Sequence, residues 1–269
     1  MKPYEGHITD KRLRHPSKYF VKEGKNTVII WNSAEAKKIK AEPSEDIPKC
    51  AQSELIPTYT FSDTKGNMVL GCEHYERSCK LRHPETGQLF TCRLCCEDVR
   101  QSGRRSYESL PMLDRQAVSE VLCMKCGALQ PAGSSCVNKD CQSYGTQFSN
   151  YVCLICNLYD DDETKDIYHC PYCNVCRKGK GLGIDFRHCM RCNACIDISE
   201  YDTHVCISQR LQGSCPICKE SMFESTEPLR GMPCGHVMHL SCFDKYVSRC
   251  FGETIPCPIC KQSFENMRG

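Results

Sequence analysis

The sequence has a single tryptophan, an aromatic share of 8% and a formal net charge of only +2. So weak a charge excludes the strongly basic footprint with which a chain neutralises many phosphates, and nucleic acid is not an expected partner. No run approaches the roughly 20 consecutive apolar residues that a bilayer span requires, so no membrane partner is expected either. An apolar N-terminal segment is also missing: MKPYEGHITDKRLRHPSK is polar throughout, no secretory signal is expected, and the thiols should meet a reducing compartment. The chain is short, too, of side chains that build cores. Its hydrophobic share of 40% counts cysteine. Without cysteine about 30% remains, against the roughly 45–50% apolar share of typical globular domains. Its 269 residues are enough for two ordinary domains, but the apolar mass to stabilise them in the ordinary way is absent.

In its place stand 26 cysteines and 9 histidines. Repeated Cys-x-x-Cys pairs with interspersed histidines, in a reducing compartment where disulfides are rare, read as zinc sites, because thiolate and imidazole suit this cation. The donor residues fall into three blocks, 72–141, 153–206 and 215–260, joined by connections such as SYGTQFSNY and ISQRLQGS. A structural zinc is worth roughly 10–16 kcal/mol of folding free energy in model peptides, so such blocks can fold around very small apolar cores. The expected fold class is therefore small zinc-stabilised modules with little regular secondary structure, short β-hairpins plus short helices.

Residues 1–65 contain one cysteine, Cys50, and a charged stretch in which only TVIIW, residues 27–31, resembles a strand. This region is expected to be a mostly disordered tail. Within it Ile39-Lys40-Ala41-Glu42 has the apolar-Lys-x-Glu form of a SUMO acceptor, a pattern short enough to recur by chance. The basic runs at 11–18 and 100–105 read as solvated loops.

The C-terminal block carries Cys215, Cys218, Cys234, His236, His239, Cys242, Cys257 and Cys260. Eight donors make two closed tetrahedral sites. Spacing alone permits consecutive or interleaved sites. The order and gaps closely resemble the RING finger family that has three cysteines, two histidines and three cysteines, and the resemblance implies interleaving: Cys215, Cys218, His239 and Cys242 for one zinc, Cys234, His236, Cys257 and Cys260 for the other. It further implies a short helix over 240–248 and a docking groove for a ubiquitin-conjugating enzyme built from Ile217, Tyr246 and Pro258, with Lys261 in the place of a basic residue that contacts both that enzyme and ubiquitin. Tyr246 stands where tryptophan is frequent. Cys250 reads as a small apolar residue at the helix end.

The middle block shows an internal repeat, HCPYCNVC at 169–176 and HCMRCNAC at 188–195, preceded by Cys153 and Cys156 and closed by His204 and Cys206. That is twelve donors for three zincs. Adjacent side chains of an extended segment point to opposite faces, so His169 and Cys170 should serve different ions, and likewise His188 and Cys189. One consistent arrangement gives Cys153, Cys156, Cys170 and Cys173 to the first zinc. It gives His169, Cys176, Cys189 and Cys192 to the second, and His188, Cys195, His204 and Cys206 to the third. The block resembles the zinc module, here called CTCHY, that follows the CHY finger in CHY-and-RING ubiquitin ligases, with YHCPYCNVCRKGKGLGIDFRHCMRCNAC as its long specific match.

In the first block, Gly71-Cys72-Glu73-His74-Tyr75 with Thr91-Cys92-Arg93-Leu94-Cys95 resembles the opening of the CHY finger. Cys72, His74, Cys92 and Cys95 make one site, and Cys123, Cys126, Cys136 and Cys141 another, its last pair spaced Cys-x-x-x-x-Cys. The resemblance implies a further zinc, but Glu85 and Thr86 stand where a cysteine pair belongs and Cys96 stands at a histidine position. Cys79, His83 and Cys96 could rebuild part of that site with a carboxylate such as Glu97 or Asp98, or with Cys50; its loss is the expected outcome. The expected zinc count is seven, or eight if the divergent site survives.

The resemblance covers residues 71–264 and implies a tandem of a CHY-type finger at 66–146, a CTCHY-type zinc spiral at 147–211 and a cross-brace RING at 212–265, after the tail. It implies a RING-type ubiquitin ligase with no catalytic nucleophile of its own. It further implies a ubiquitin-conjugating enzyme, ubiquitin and a protein substrate as partners, and a place in cytoplasm and nucleus. The alternative is a zinc-dependent protein-binding adaptor with an inactive RING.

Overall fold

A computed structural model describes residues 57–265 apart from 62–67, 104–106, 108 and 253, together with two short upstream strands, Phe20–Glu23 and Asn26–Ile29. The strand expected at 27–31 is met over Asn26–Ile29. Most of the tail, Lys40 and Cys50 lie outside the described residues. The chain divides into two compact units, Gly6–Lys178 and Gly179–Gly269.

The first unit holds two four-stranded sheets. In one, the strands run in the order Phe20–Glu23, Asn26–Ile29, Tyr151–Cys153, Leu158–Asp160, antiparallel except that Thr27 to Ile29 pair in parallel with Tyr151 to Cys153. In the other, Leu89–Phe90, Cys79–Arg82, Glu120–Cys123 and Leu129–Pro131 follow one another antiparallel, Cys79 facing Cys123 across the central pair. The apolar content is spent here: Leu81, Phe90, Leu110, Leu113, Val118, Val121, Phe148, Val152 and Tyr159 form one buried cluster. Cysteines fill the gaps between them, Cys79, Cys96, Cys123, Cys136 and Cys141 belonging to the same cluster. Thiols that face this cluster behave as small apolar residues and as donors at its edge. The helix Arg93–Gln101 starts at Cys92, whose sulfur accepts the N–H of Cys95 and so serves as the helix cap.

The second unit is a chain of two-stranded hairpins: Phe186–Cys189 with Ala194–Asp197, Leu229–Gly231 with Val237–His239, and Thr254–Pro256 with Ser263–Glu265. Between the last two lies the helix Leu240–Arg249, on the span expected. Its core is thin, with Ala194, Ile196, Leu211, Met222, Met232, Val237 and Met238 packed among the buried Cys189, Cys192, Cys215, Cys242 and Cys257. Gly235, at φ +87°, is required here: a Cβ on it would stand 2.7 Å from the Val205 carbonyl oxygen and 3.1 Å from Ile207. Architecture of this kind, short strands and few helices around clustered cysteine and histidine, is the expected fold class. Among the described residues no helix is long and apolar enough to cross a membrane.

Candidate metal centres

Several Cys-x-x-Cys pairs close on a hydrogen bond to sulfur. The N–H of the second cysteine donates to the sulfur of the first, at 3.4 Å for Cys95 to Cys92, 3.4 Å for Cys156 to Cys153 and 3.5 Å for Cys192 to Cys189. In six of the pairs the residue after the second cysteine turns into the left-handed region: Gly127 at φ +74°, Asn157 at +45°, Asn174 at +54°, Asn193 at +48°, Lys219 at +68° and Lys261 at +66°. Asparagine and glycine tolerate that conformation best. The recurrence of Cys-x-x-Cys-Asn three times in the middle block was the sequence signal for it, and spacing of donors alone does not use it.

Among the described cysteines none forms a disulfide. The sulfurs stand instead at the separation set by a shared ion. Two thiolates bound at about 2.3 Å to one tetrahedral zinc lie about 3.8 Å apart. In the first set Cys72 and Cys92 are 3.6 Å apart, Cys92 and Cys95 are 3.6 Å apart, and His74 Nδ1 lies 3.9, 3.6 and 3.7 Å from the sulfurs of Cys72, Cys92 and Cys95. On the far side of that ring, Nε2 faces Asp98 Oδ2 at 3.6 Å, the orienting contact usual behind a metal-bound imidazole. The second set brings together Cys123, Cys126, Cys136 and Cys141, with sulfurs 4.0 Å apart for Cys123 and Cys141 and 3.6 Å for Cys126 and Cys136.

Crowding of this kind forbids ionisation of every thiol unless a cation is present. Hydrogen bonds from Cys92 and Cys95 hold the Cys72 thiol far below its ordinary range, and the same bonds push Cys92 up to about 11 and Cys95 up as well. Burial pushes Cys123, Cys234 and Cys242 up to about 11. A divalent ion that displaces these protons is what the donor sets fit, and sulfur with imidazole in tetrahedral groups of four selects zinc.

In the middle block the expected partition is overturned. Cys153 and Cys156 gather with His169 and Cys176, and Cys189 and Cys192 gather with His204 and Cys206. His169 Nδ1 lies 3.5, 3.4 and 3.9 Å from the sulfurs of Cys153, Cys156 and Cys176. None of the three sets drawn from the sequence survives. The cause is the hairpin Ile167–Cys170 with Val175–Lys178, in which His169 and Cys176 are directly opposed cross-strand partners and so share a face. That face turns back to the preceding Cys-x-x-Cys. The alternation argument itself holds, since His169 leaves Cys170 for another ion, but alternation does not say which neighbour goes backward. Tyr151 completes this set from outside, its hydroxyl 3.3 Å from the Cys176 sulfur. Burial, then the charge of Cys176, raises that phenol well above its ordinary range, so its O–H donates. His204 reverses the ring, giving Nδ1 to the Tyr201 carbonyl and placing Nε2 3.0 Å from Cys206. Cys170, Cys173, His188 and Cys195 are the remaining donors of the twelve.

The C-terminal donors interleave. Cys242 contacts Cys218 and Cys215, and Cys218 lies 3.2 Å from His239 Nδ1. Cys234 contacts Cys257 and Cys260, and His236 Nδ1 lies 3.5 Å from Cys234 and 3.9 Å from Cys257. The two knuckles, 215–220 and 257–262, close identically, with Lys219 N–H donating to the Cys215 carbonyl at 3.0 Å and Lys261 N–H to the Cys257 carbonyl at 2.9 Å.

The divergent site is not formed among the described residues. His83 Nδ1 accepts the N–H groups of Glu85 at 3.2 Å and Thr86 at 3.3 Å, and Nε2 lies 3.2 Å from the Pro111 carbonyl, to which it donates. Both ring nitrogens are thereby used, and Cys79 and Cys96 pack in the apolar cluster.

The CHY zinc finger family model matches residues 72–151 and the ring finger domain model matches residues 213–261. This is a CHY- and RING-finger chain. It is 46% identical over 189 residues to a BRUTUS-like zinc finger protein of Arabidopsis thaliana, a match covering 70% of this chain and 14% of that protein. It is 42% identical over 218 residues to the zinc finger protein BRUTUS of the same plant, covering 79% of this chain and 16% of that one. To the E3 ubiquitin-protein ligase SRFP1 of Oryza sativa subsp. japonica it is 36% identical over 179 residues, 66% of this chain and 63% of the ligase. The chain thus spans less than a fifth of the length of the two Arabidopsis relatives.

On the RING finger, the four residues named for docking are placed as follows. Ile217 is 39% exposed, Pro258 is half-buried, and the half-buried Tyr246 donates its hydroxyl to the Pro256 carbonyl at 2.6 Å, tying the helix to the strand that leads into the second knuckle. Lys261 folds its ammonium back onto the Pro258 carbonyl at 3.2 Å, as Lys219 does onto Pro216 at 2.8 Å. Sequence reasoning missed Ile259, 44% exposed, and Phe251, 96% exposed just past the helix. Cys250 caps that helix beside Tyr246.

Proposed function

We propose that this chain acts as a RING-type ubiquitin ligase, in which the RING docks a ubiquitin-conjugating enzyme and promotes ubiquitin transfer to substrate lysines, while the upstream fingers present the protein substrate. The observation that supports it best is the interleaved RING with an exposed isoleucine in each knuckle, Ile217 and Ile259, and with Tyr246 tied to the strand that leads into the second knuckle. Rigid presentation of a few apolar anchors suits a small transient interface. No nucleophile is needed: catalysis is orientation of the ubiquitin thioester held by the docked enzyme, with Lys261 swinging off Pro258 to meet it. Each of the seven zincs proposed is structural, with four protein donors and no open position for water. A count of seven requires that Cys170, Cys173, His188 and Cys195 hold an ion too.

The test is autoubiquitination with a panel of conjugating enzymes. Ubiquitin chains are expected with at least one of them, lost in the Ile217→Ala, Tyr246→Ala double variant while zinc content is kept. Absence of product with every enzyme, or full activity in the double variant, overturns the docking reading in favour of a zinc-dependent adaptor. The place proposed for the chain, cytoplasm and nucleus, rests on the resemblance alone and is tested by imaging a tagged copy.

A further inference from the structure

The set formed by Cys123, Cys126, Cys136 and Cys141 combines two features that no other set gathered among the described residues joins. It has four sulfurs and no imidazole, whereas each of the others includes one histidine. With zinc bound its charge is therefore −2 and theirs −1, so its sulfurs are the more electron-rich. Second, access to it runs through one sulfur: Cys126 is exposed, while Cys123, Cys136 and Cys141 are buried. Gly127 follows it, where other knuckles carry asparagine or lysine. The Cys136 sulfur lies 3.6 Å from that of Cys126, ten residues on. Cys218 and Cys260 are also exposed, but each sits in a set that includes an imidazole.

We propose that this all-cysteine set is an oxidation site, at which a peroxide joins Cys126 to Cys136 and releases the zinc. This rests on the zinc reading above. The Cys126 sulfur attacks one peroxide oxygen, the O–O bond breaks, and hydroxide leaves with a sulfenic acid formed on Cys126. The Cys136 thiolate attacks that sulfur, the S–S bond forms, and the second oxygen departs as hydroxide, each hydroxide taking a proton to become water. Two thiolates have given up two electrons, the peroxide has accepted them, and the ion is left with Cys123 and Cys141 alone. Since Cys123 ends the strand Glu120–Cys123 at the centre of its sheet and Cys136 and Cys141 belong to the apolar cluster, release loosens the first unit.

The test uses the full chain, purified reduced, with its zinc content measured first. One equivalent of hydrogen peroxide is added, zinc release is followed with a chromogenic chelator, and disulfides are mapped by mass spectrometry. One zinc per chain is expected to leave first, with a Cys126–Cys136 disulfide. Cys126→His, which gives the site the donor set of its neighbours, should keep its zinc and release it at least about tenfold more slowly. A first disulfide involving Cys218 or Cys260, an even spread over all sites, or wild-type release from the variant overturns the proposal. If the variant is purified without its zinc, the wild-type disulfide map decides alone. A wild-type chain that lacks this zinc before peroxide is added sinks the zinc reading as well, and the initial metal analysis tells that failure apart.

Discussion

Gly235 shows how little slack single residues have in so small a core. Its position next to Cys234 and His236 sets φ at +87°, and the backbone of Val205 fills the space where a side chain would project. Gly235→Ala therefore meets both a conformational penalty and a contact 2.7 Å from a carbonyl oxygen, and a loss of about 1–3 kcal/mol is expected from the strain. Thermal unfolding of the zinc-loaded chain measures it; an unchanged midpoint would contradict the close approach. Residues such as this are invisible to donor spacing, although the glycine itself is in plain view between two donors. The reverse holds for His83, which looks like a donor in sequence. Its surroundings withdraw it, because the turn at Glu85 and Thr86 offers two N–H groups to one nitrogen and Pro111 a carbonyl to the other.

At the scale of an element, the hairpin is the unit that distributes donors. In the hairpin Ile167–Cys170 with Val175–Lys178 the first histidine and the last cysteine oppose one another, and in the hairpin Phe186–Cys189 with Ala194–Asp197 the same register pairs His188 with Cys195. A knuckle followed by the histidine and cysteine of a later segment then repeats with one donor composition, three sulfurs and one imidazole, in the set of Cys153, Cys156, His169 and Cys176 and in that of Cys189, Cys192, His204 and Cys206. The partition drawn from the sequence used the same twelve residues but mixed compositions, and a repeat of equivalent hairpins has no physical reason to do that. A double variant separates the two arrangements. Cys153→Ser with His169→Ala removes donors from a single set as the structure gathers them, so metal analysis should find one zinc fewer than wild type; two fewer would restore the alternative.

For the whole molecule, metal takes the role that apolar burial has elsewhere. Each set with three thiols releases three protons on binding zinc below the ordinary thiol range near 8.5, so its apparent affinity should fall by up to about three orders of magnitude per pH unit. The sign is set by the bound state: zinc keeps the thiols ionised in the folded chain, and the stability this gives is present at high pH and lost as pH falls. The raised thiols of Cys123, Cys234 and Cys242, at about 11, carry this competition to higher pH, because protons are harder to displace there. Acidification and chelation at neutral pH should unfold the chain along the same course, followed by circular dichroism with zinc release read in parallel; a folded chain after complete zinc removal would contradict this. What the sequence by itself determined is the identity of the donors, because only cysteine and histidine at knuckle spacing can bind so many ions in a chain poor in apolar residues. The RING interleaving and its helix were legible through resemblance to a known pattern. Only the tertiary structure decided how the middle donors are shared and that His83 takes no part. Spacing along a chain limits which atoms can reach an ion, whereas the face on which they meet is set by cross-strand register and by the carbonyls and N–H groups that compete for the same lone pairs.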